Sequence, residues 1–219
     1  MVSVSDVDAG AGNVEVTLTV SNGVLDALGG PASATSPGAS IMVTGSVADV
    51  NTSLLNLTYT GDTDFVGVES LLVSVSDLGN TGSPGALLDG GTLLITVDPV
   101  NDGPGVTGPG PINGDEDSVI AVPGIVMTDV DAAGNVRVTL DVANGTLAAT
   151  GSGLASVAGD GTISTALTID GTLVDVNATL ASLTYTGDAD YVGGDTINVV
   201  VDDLGETGLG GALTDTTTV

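Results

Sequence analysis

Four pairs of aspartates one residue apart are the groups in this sequence best placed to do chemistry. They are Asp6-Val-Asp8, Asp62-Thr-Asp64, Asp129-Val-Asp131 and Asp188-Ala-Asp190. Short carboxylates set in turns suit a hard, oxygen-liganded cation, which gathers about six to eight oxygens. The same pairs admit other readings. Two carboxylates flanking a glycosidic bond can hydrolyse it, and an Asp in a turn often only accepts a nearby backbone N–H. The pairs recur in both halves of the chain, as a structural device would, so no enzymatic activity is expected.

Composition narrows the field. The chain has 219 residues and 28 acidic groups against one base, Arg137. Twenty-four of the acids are Asp; the four Glu are Glu15, Glu69, Glu116 and Glu206. One arginine cannot neutralise a phosphate track, so nucleic acid is excluded as a partner. Attraction to an anionic membrane fails for the same reason, and membrane association would come only through other parts of the protein. Cys and His are absent, which removes disulfides, thiolate nucleophiles, imidazole bases and Cys/His zinc sites. No apolar run approaches the ~20 residues of a membrane span. No signal peptide follows Met1, so any export signal is expected outside this stretch. The sequence is 42% hydrophobic, mostly aliphatic, which is enough for a packed core.

These acids need a scaffold, and the scaffold repeats. Asn13-Val-Glu-Val-Thr-Leu-Thr-Val-Ser-Asn-Gly returns as Asn135-Val-Arg-Val-Thr-Leu-Asp-Val-Ala-Asn-Gly. Leu57-Thr-Tyr-Thr-Gly-Asp62 returns as Leu183-Thr-Tyr-Thr-Gly-Asp188, and Asp77-Leu-Gly as Asp203-Leu-Gly. The spacing grows from 123 (Asp6 to Asp129) to 126 (Tyr59 to Tyr185). This places a loop insertion between about Gly145 and Gly171, where Gly159-Asp160-Gly161 reads as a plain turn. Repeat 1 opens at Val2, the counterpart of Ile125, and nothing upstream matches 115–124. Repeat 1 is therefore expected to lack its opening strand, and the natural protein to continue in both directions.

Strict alternation marks half-buried strands. Val14, Val16, Leu18 and Val20 face one way, as do Val136, Val138, Leu140 and Val142. Leu71, Val73 and Val75 match Ile197, Val199 and Val201, and Leu93, Ile95 and Val97 form a closing strand. Asn22-Gly23 and Asn144-Gly145 read as hairpin turns. Tyr59 and Tyr185 fall in strands and should pack the core. One helical turn is conceivable near Ala48–Leu55. Asn-x-Thr/Ser matches at Asn51, Asn56, Asn144 and Asn177 carry little weight in so Thr-rich a chain. Glu69 and Asp195 share a Gly-x-x-acid context with no evident role. Short strands and regular turns predict an all-β protein of tandem sandwiches.

Asp98-Pro-Val-Asn101-Asp102-Gly-Pro, with the Asp-Val-Asp-Ala-Gly opening, the Leu-Thr-Tyr-Thr block and the Ser-Asp-Leu-Gly-Asn-Thr-Gly turn, resembles the cadherin-like tandem repeats of large secreted (RTX, type I-secreted) bacterial surface adhesins. The resemblance implies immunoglobulin-like Greek-key sandwiches joined end to end: repeat 1 over 1–98, a calcium-binding linker over 99–114 and repeat 2 over 115–219. It implies one complete Ca2+ junction formed by Asp62, Asp64, Asp98, Asn101, Asp102, Asp129, Asp131, Asn135 and Asp203. Partial junctions would use Asp6, Asp8, Asn13, Asp77, Glu116, Asp188 and Asp190. Gathered carboxylates also need counter-ions on physical grounds, since a pair about 5 Å apart repels by roughly 3 kcal/mol at an effective dielectric near 20. The function expected is an extracellular, cell-surface spacer rigidified by calcium, with neighbouring repeats of the same chain as partners. The alternative is a subunit of a self-assembling homo-oligomer or filament that exchanges strands at the open edge of repeat 1. A purely solubilising acidic surface, or ligand binding without an aromatic platform, would account for less of the pattern.

Overall fold

Alternating β-branched residues punctuated by Gly and Asp turns fold here into antiparallel sheets. The computed structural model describes residues 2–80, 85–158, 165–205 and 207–219. It divides into two units, Met1–Pro99 and Val100–Val219. Unit 1 contains β1 (Asn13–Thr19), β2 (Val24–Asp26), β3 (Ser33–Ala34), β4 (Ser40–Ser46), α1 (Val47–Leu54), β5 (Thr58–Thr60), β6 (Gly67–Ser76) and β7 (Leu88–Val97). Its sheets are ordered β3-β4-β1-β6-β7 and β2-β5.

Unit 2 begins with three short strands, β8 (Gly105–Thr107), β9 (Val119–Ala121) and β10 (Val126–Thr128). It continues through β11 (Asn135–Asp141), β12 (Gly145–Ala148), β13 (Ser156–Ala158), β14 (Ala166–Thr172), α2 (Leu173–Leu180), β15 (Thr184–Gly187), β16 (Asn198–Asp202) and β17 (Thr214–Thr218). Its sheets are β13-β14-β11-β16-β17, β12-β15-β9 and β10-β8. The stretch 99–114, read from sequence as a linker, supplies β8 to this unit.

Each unit has its own core, to which both the larger and the smaller sheets contribute. In unit 1 the alternating positions Val14, Val16, Leu18 and Val20 are buried, with Leu25, Ile41, Val43 and Leu71. In unit 2 Val136, Val138, Leu140 and Val142 join Leu147, Leu167, Ile169, Val199 and Val201. Tyr59 and Tyr185 pack against these cores as expected. Arg137 lies on the outer face, opposite Asp170 in register, and its Nε donates to Asp170 Oδ1 at 2.7 Å.

The single helical turn expected near Ala48–Leu55 is an eight-residue helix, and repeat 2 carries a second one. Ser46 caps α1 by accepting from Asp49 N (3.2 Å), and Thr172 caps α2 by accepting from Asp175 N (3.2 Å). This is the Ser/Thr-x-x-acid arrangement that satisfies orphan N–H groups at a helix start. Only a narrow stripe of each helix is buried, Val50, Ser53 and Leu54 in α1 and Val176, Thr179 and Leu180 in α2. Two turns with one polar residue in the stripe leave too weak a period to read from sequence.

An asparagine on each helix ties the strand region before β11 or β1 to the core. Asn177 Oδ1 accepts from Met127 N, and its Nδ2 donates to Met127 O, both at 2.9 Å. Asn51 makes the same two bonds to Val4, both at 2.8 Å. Asn177→Ala is expected to destabilise unit 2 by about 1–3 kcal/mol, because both main-chain groups lose their partner. Chemical denaturation measures this; a change within error would show that water replaces the amide.

The loop insertion shows in the registers. Ser33 pairs Thr44 and Ser156 pairs Asp170, whereas Val43 corresponds to Ile169. Most of the insertion therefore falls between β13 and β14, where Gly159-Asp160-Gly161 lies outside the described residues.

Candidate functional site

Asn22-Gly23 and Asn144-Gly145 do not close hairpins. β1 pairs with β4 and β6 while β2 pairs with β5, so Asn22-Gly23 carries the chain from one sheet to the other. Glu69 holds this corner. Its carboxylate, on a residue only 2% exposed, accepts from Ser21 N (3.0 Å), Asn22 N (2.9 Å), Asn22 Nδ2 (2.9 Å) and Ser70 N (3.0 Å). Tyr59 Oη donates to Asn22 O.

Unit 2 repeats the device with a shorter acid. Asp195 accepts from Asn144 N (2.9 Å), Thr196 N (2.8 Å), Ala143 N (3.4 Å) and Tyr185 Oη (3.1 Å). Tyr185 Oη also lies 2.9 Å from Asn144 O. A Cβ added to Gly23 or Gly145 would meet the tyrosine ring at about the same place, 2.7 or 2.6 Å from its Cε2. The glycine is required by this close approach rather than by a two-residue turn. The acids without an evident role are thus the anchors of the corner. The signal that could have found them is their fixed distance from the Leu-Thr-Tyr-Thr block.

The acids singled out at the start of unit 2 come together in space. Asn101 is 6% exposed and Asp203 5%. Asn101 Nδ2 donates to Asp203 Oδ2 (2.7 Å) and Gly211 O (3.0 Å), and Asn101 N to Leu209 O (2.8 Å). The other Asp203 oxygen accepts from Gly205 N (2.9 Å) and Leu213 N (2.8 Å). Asp102 N donates to Asp131 Oδ2 (3.2 Å), and Asp131 N to Asp129 Oδ1 (3.1 Å). Thr207, which the sequence gave no reason to choose, donates to Asn101 Oδ1 (3.3 Å).

Two carboxylate atoms in this group, Asp129 Oδ2 and Asp131 Oδ1, are buried without a hydrogen-bond partner. Burial, then Asp131 and Asp203, pushes the Asp129 carboxyl above its ordinary value. A buried anionic oxygen with no donor is costly, and a cation is the partner such atoms lack. The residues fit calcium in this respect: hard oxygens from Asp129, Asp131 and the adjoining main chain, with no soft ligand. They do not form a finished cage. Among the described residues no group of three or more acidic side chains stands in metal-holding geometry, because Asp203 is taken up by N–H donors.

The remaining predicted ligands lie elsewhere. Asn135 is an exposed residue at the start of β11. In unit 1, Asp98 is exposed just beyond β7, and Asp62 and Asp64 are exposed in the loop after β5. Asp64 has φ 58°, a left-handed conformation that Asp tolerates. Asp6 accepts from Asp8 N (3.1 Å) and Ala9 N (3.2 Å). Asp77 accepts from Gly79 N (2.8 Å) and Leu87 N (2.7 Å), as Asp203 does in unit 2, and Asn13 opens β1. At the far loops of unit 2, Asp190 N donates to Asp117 Oδ1 (3.3 Å), a residue missed from sequence, with Glu116 and Asp188 exposed nearby in the chain.

The fold and this site define a two-unit, mostly β repeat protein with an acidic, cation-seeking cluster at the start of its second unit. The family model that matches the sequence is that of the Protein GAMETE EXPRESSED 2 domain, over residues 121–203. No curated protein matches the chain. This finding corrects the resemblance to bacterial cadherin-like adhesin repeats, and with it the bacterial surface setting. The motifs that carried the resemblance are Asp, Asn and Gly turn signals. Their chemistry serves any strand-to-strand connection of this kind, so they do not discriminate one all-β repeat family from another.

Proposed function

We propose that the chain is a non-catalytic structural spacer of tandem immunoglobulin-like β-sandwich units, working outside the cell, with calcium stiffening the start of unit 2. The proposed ligands are Asn101, Asp102, Asp129 and Asp131, with Asp203 holding Asn101 in place. Its partners are neighbouring units of the same polypeptide. The observation that supports the reading is the pair of buried, unpartnered oxygens on Asp129 and Asp131, beside the stretch on which β8 depends. Calcium would supply the positive charge that these oxygens lack. The chain's own contribution is to bring Asp102 against Asp131 and to lock Asn101 between Asp203, Gly211 and Thr207.

Thermal melts in EDTA, in calcium and in magnesium test this. Calcium at a hundredfold excess over its dissociation constant should add about 2.7 kcal/mol to unit 2, with slower amide exchange in β8. Asp129→Asn should abolish that increment, yet keep the turn, because an amide oxygen still accepts from Asp131 N. If calcium leaves the wild-type melt unchanged, the acids are a solvated surface and the stiffening role is lost. Asp62→Asn with Asp64→Asn tests whether unit 1 supplies ligands: an unchanged calcium affinity would confine the site to unit 2.

A further inference from the structure

Unit 1 and unit 2 follow one plan, and unit 2 shows what unit 1 is missing. In unit 2, β8 pairs with β10 and β9 pairs with the edge of β15. Among the described residues unit 1 has no counterpart of β8 or β9: β5 pairs only with β2, and the stretch around Val4 that corresponds to β10 is unpaired by any strand.

The core records the same gap. Ile125, Met127, Leu183, Val199 and Val201 are at most 2% exposed in unit 2. Their counterparts Val2, Val4, Leu57, Val73 and Val75 are all partly exposed. On β7, Leu93 is 44% exposed. Between these residues lies a cleft of about 390 Å³, lined by Val2, Val4, Val73, Val75, Asp89 and Leu93 among others. Its polar lining is also in place. Asp215 of β17 accepts from Thr216 N (2.8 Å) with one oxygen and from Val106 N of β8 (3.0 Å) with the other. Asp89, the counterpart of Asp215 by register with Val75 and Val201, makes the first of these bonds, to Gly90 N (2.8 Å). It lines the cleft where an incoming strand would pass.

We propose that unit 1 is a strand acceptor, whose cleft and β5 edge bind an extended segment of a partner polypeptide with the chemistry of Val100–Val122. That segment has a Gly/Pro-rich first half bearing a short Gly-Val-Thr strand, then a Val-Ile-Ala strand. The first lies between β7 and Ser3–Ser5, with its N–H on Asp89, and buries Val73 and Val75. The second extends β5. An exposed sheet edge above partly exposed apolar side chains is the setting in which strand addition gains both main-chain hydrogen bonds and burial.

The probe is a free synthetic peptide of sequence 100–122, added to the intact chain and compared with a scrambled version. Titrations run in EDTA as well as in calcium, so failure of the calcium reading does not affect the result. Saturable binding with one peptide per chain is expected, with slowed amide exchange in β5 and β7. Asp89→Ala should weaken it about tenfold, while Asp89→Asn, which keeps an acceptor oxygen, should weaken it less. Equal binding of the scrambled peptide, or none of either, would overturn the proposal. Concentration-dependent oligomers of the chain that the peptide cannot dissociate would also overturn it, by showing the face covered by a second copy.

Discussion

Leu140→Ala costs unit 2 about 2–5 kcal/mol, within the range for deleting a fully enclosed leucine side chain. Leu140 is 0% exposed at the centre of β11, which is hydrogen-bonded to β14 on one side and β16 on the other. Its cross-strand neighbours Leu167 and Val199 are equally enclosed, and ladders on both flanks restrict collapse into the cavity. A domain of this size is stabilised by only about 5–15 kcal/mol, so the loss is a large share of the total. Leu18→Ala is the control, at the same place in β1 of unit 1. Amide exchange read strand by strand should show each variant loosening its own unit. Global loosening by either would mean that the two units unfold as one.

Stability should fall at both ends of the pH scale, and the Asn-Gly corners set both limits. Bonds from Ser21 N–H and the Asn22 side chain, then Asn22 and Ser70 N–H, hold Glu69 below its ordinary 4.5 against the effect of burial. Burial alone would raise Asp195, but the N–H groups of Asn144, Thr196 and Ala143 and the Tyr185 hydroxyl outweigh it and keep it below 3.8. A carboxyl depressed in the folded state binds fewer protons than the unfolded chain. Its contribution is therefore present above the unfolded value and is lost as pH falls through the folded one. Tyr185 has the opposite sign. Burial, then Asp195, Tyr191 and Asp188, push it from 10.0 up to about 12. Its contribution is complete below pH 10 and disappears as pH rises towards 12.

Asp195→Asn should remove the acid-side dependence of unit 2, and Tyr185→Phe the alkaline one. Each variant should also lower stability at neutral pH, since Asp195 serves four donors. Bonds to a charged acceptor are worth roughly 1.5–3 kcal/mol each. Denaturation between pH 2 and 12 measures both limbs. An acid limb left intact in a Glu69→Gln, Asp195→Asn double variant would assign it to the other aspartates.

Much of this protein was legible in its residues. The duplication, the β class, and the buried faces of β1 and β11 follow from alternation alone, because a strand's side chains change face with strict period two. The candidate site was legible in part. Asp129, Asp131 and Asp102 were chosen for their spacing, and they do meet.

What the sequence could not determine is which groups face one another across the fold. Asn-Gly has the same local signature in a hairpin as in a crossing between sheets. Only tertiary pairing separates the two, through Glu69 and Asp195, which lie some 50 residues further along the chain. Asp203 looked like a ligand from its turn. In the fold its oxygens go to Asn101, Gly205 and Leu213, because a buried carboxylate takes whatever donors the packing brings. The exposure of Val73 and Val75 beside the enclosure of Val199 and Val201 is likewise invisible in nearly identical strands. Burial depends on the strand that lies above, and only the three-dimensional arrangement decides where that strand is.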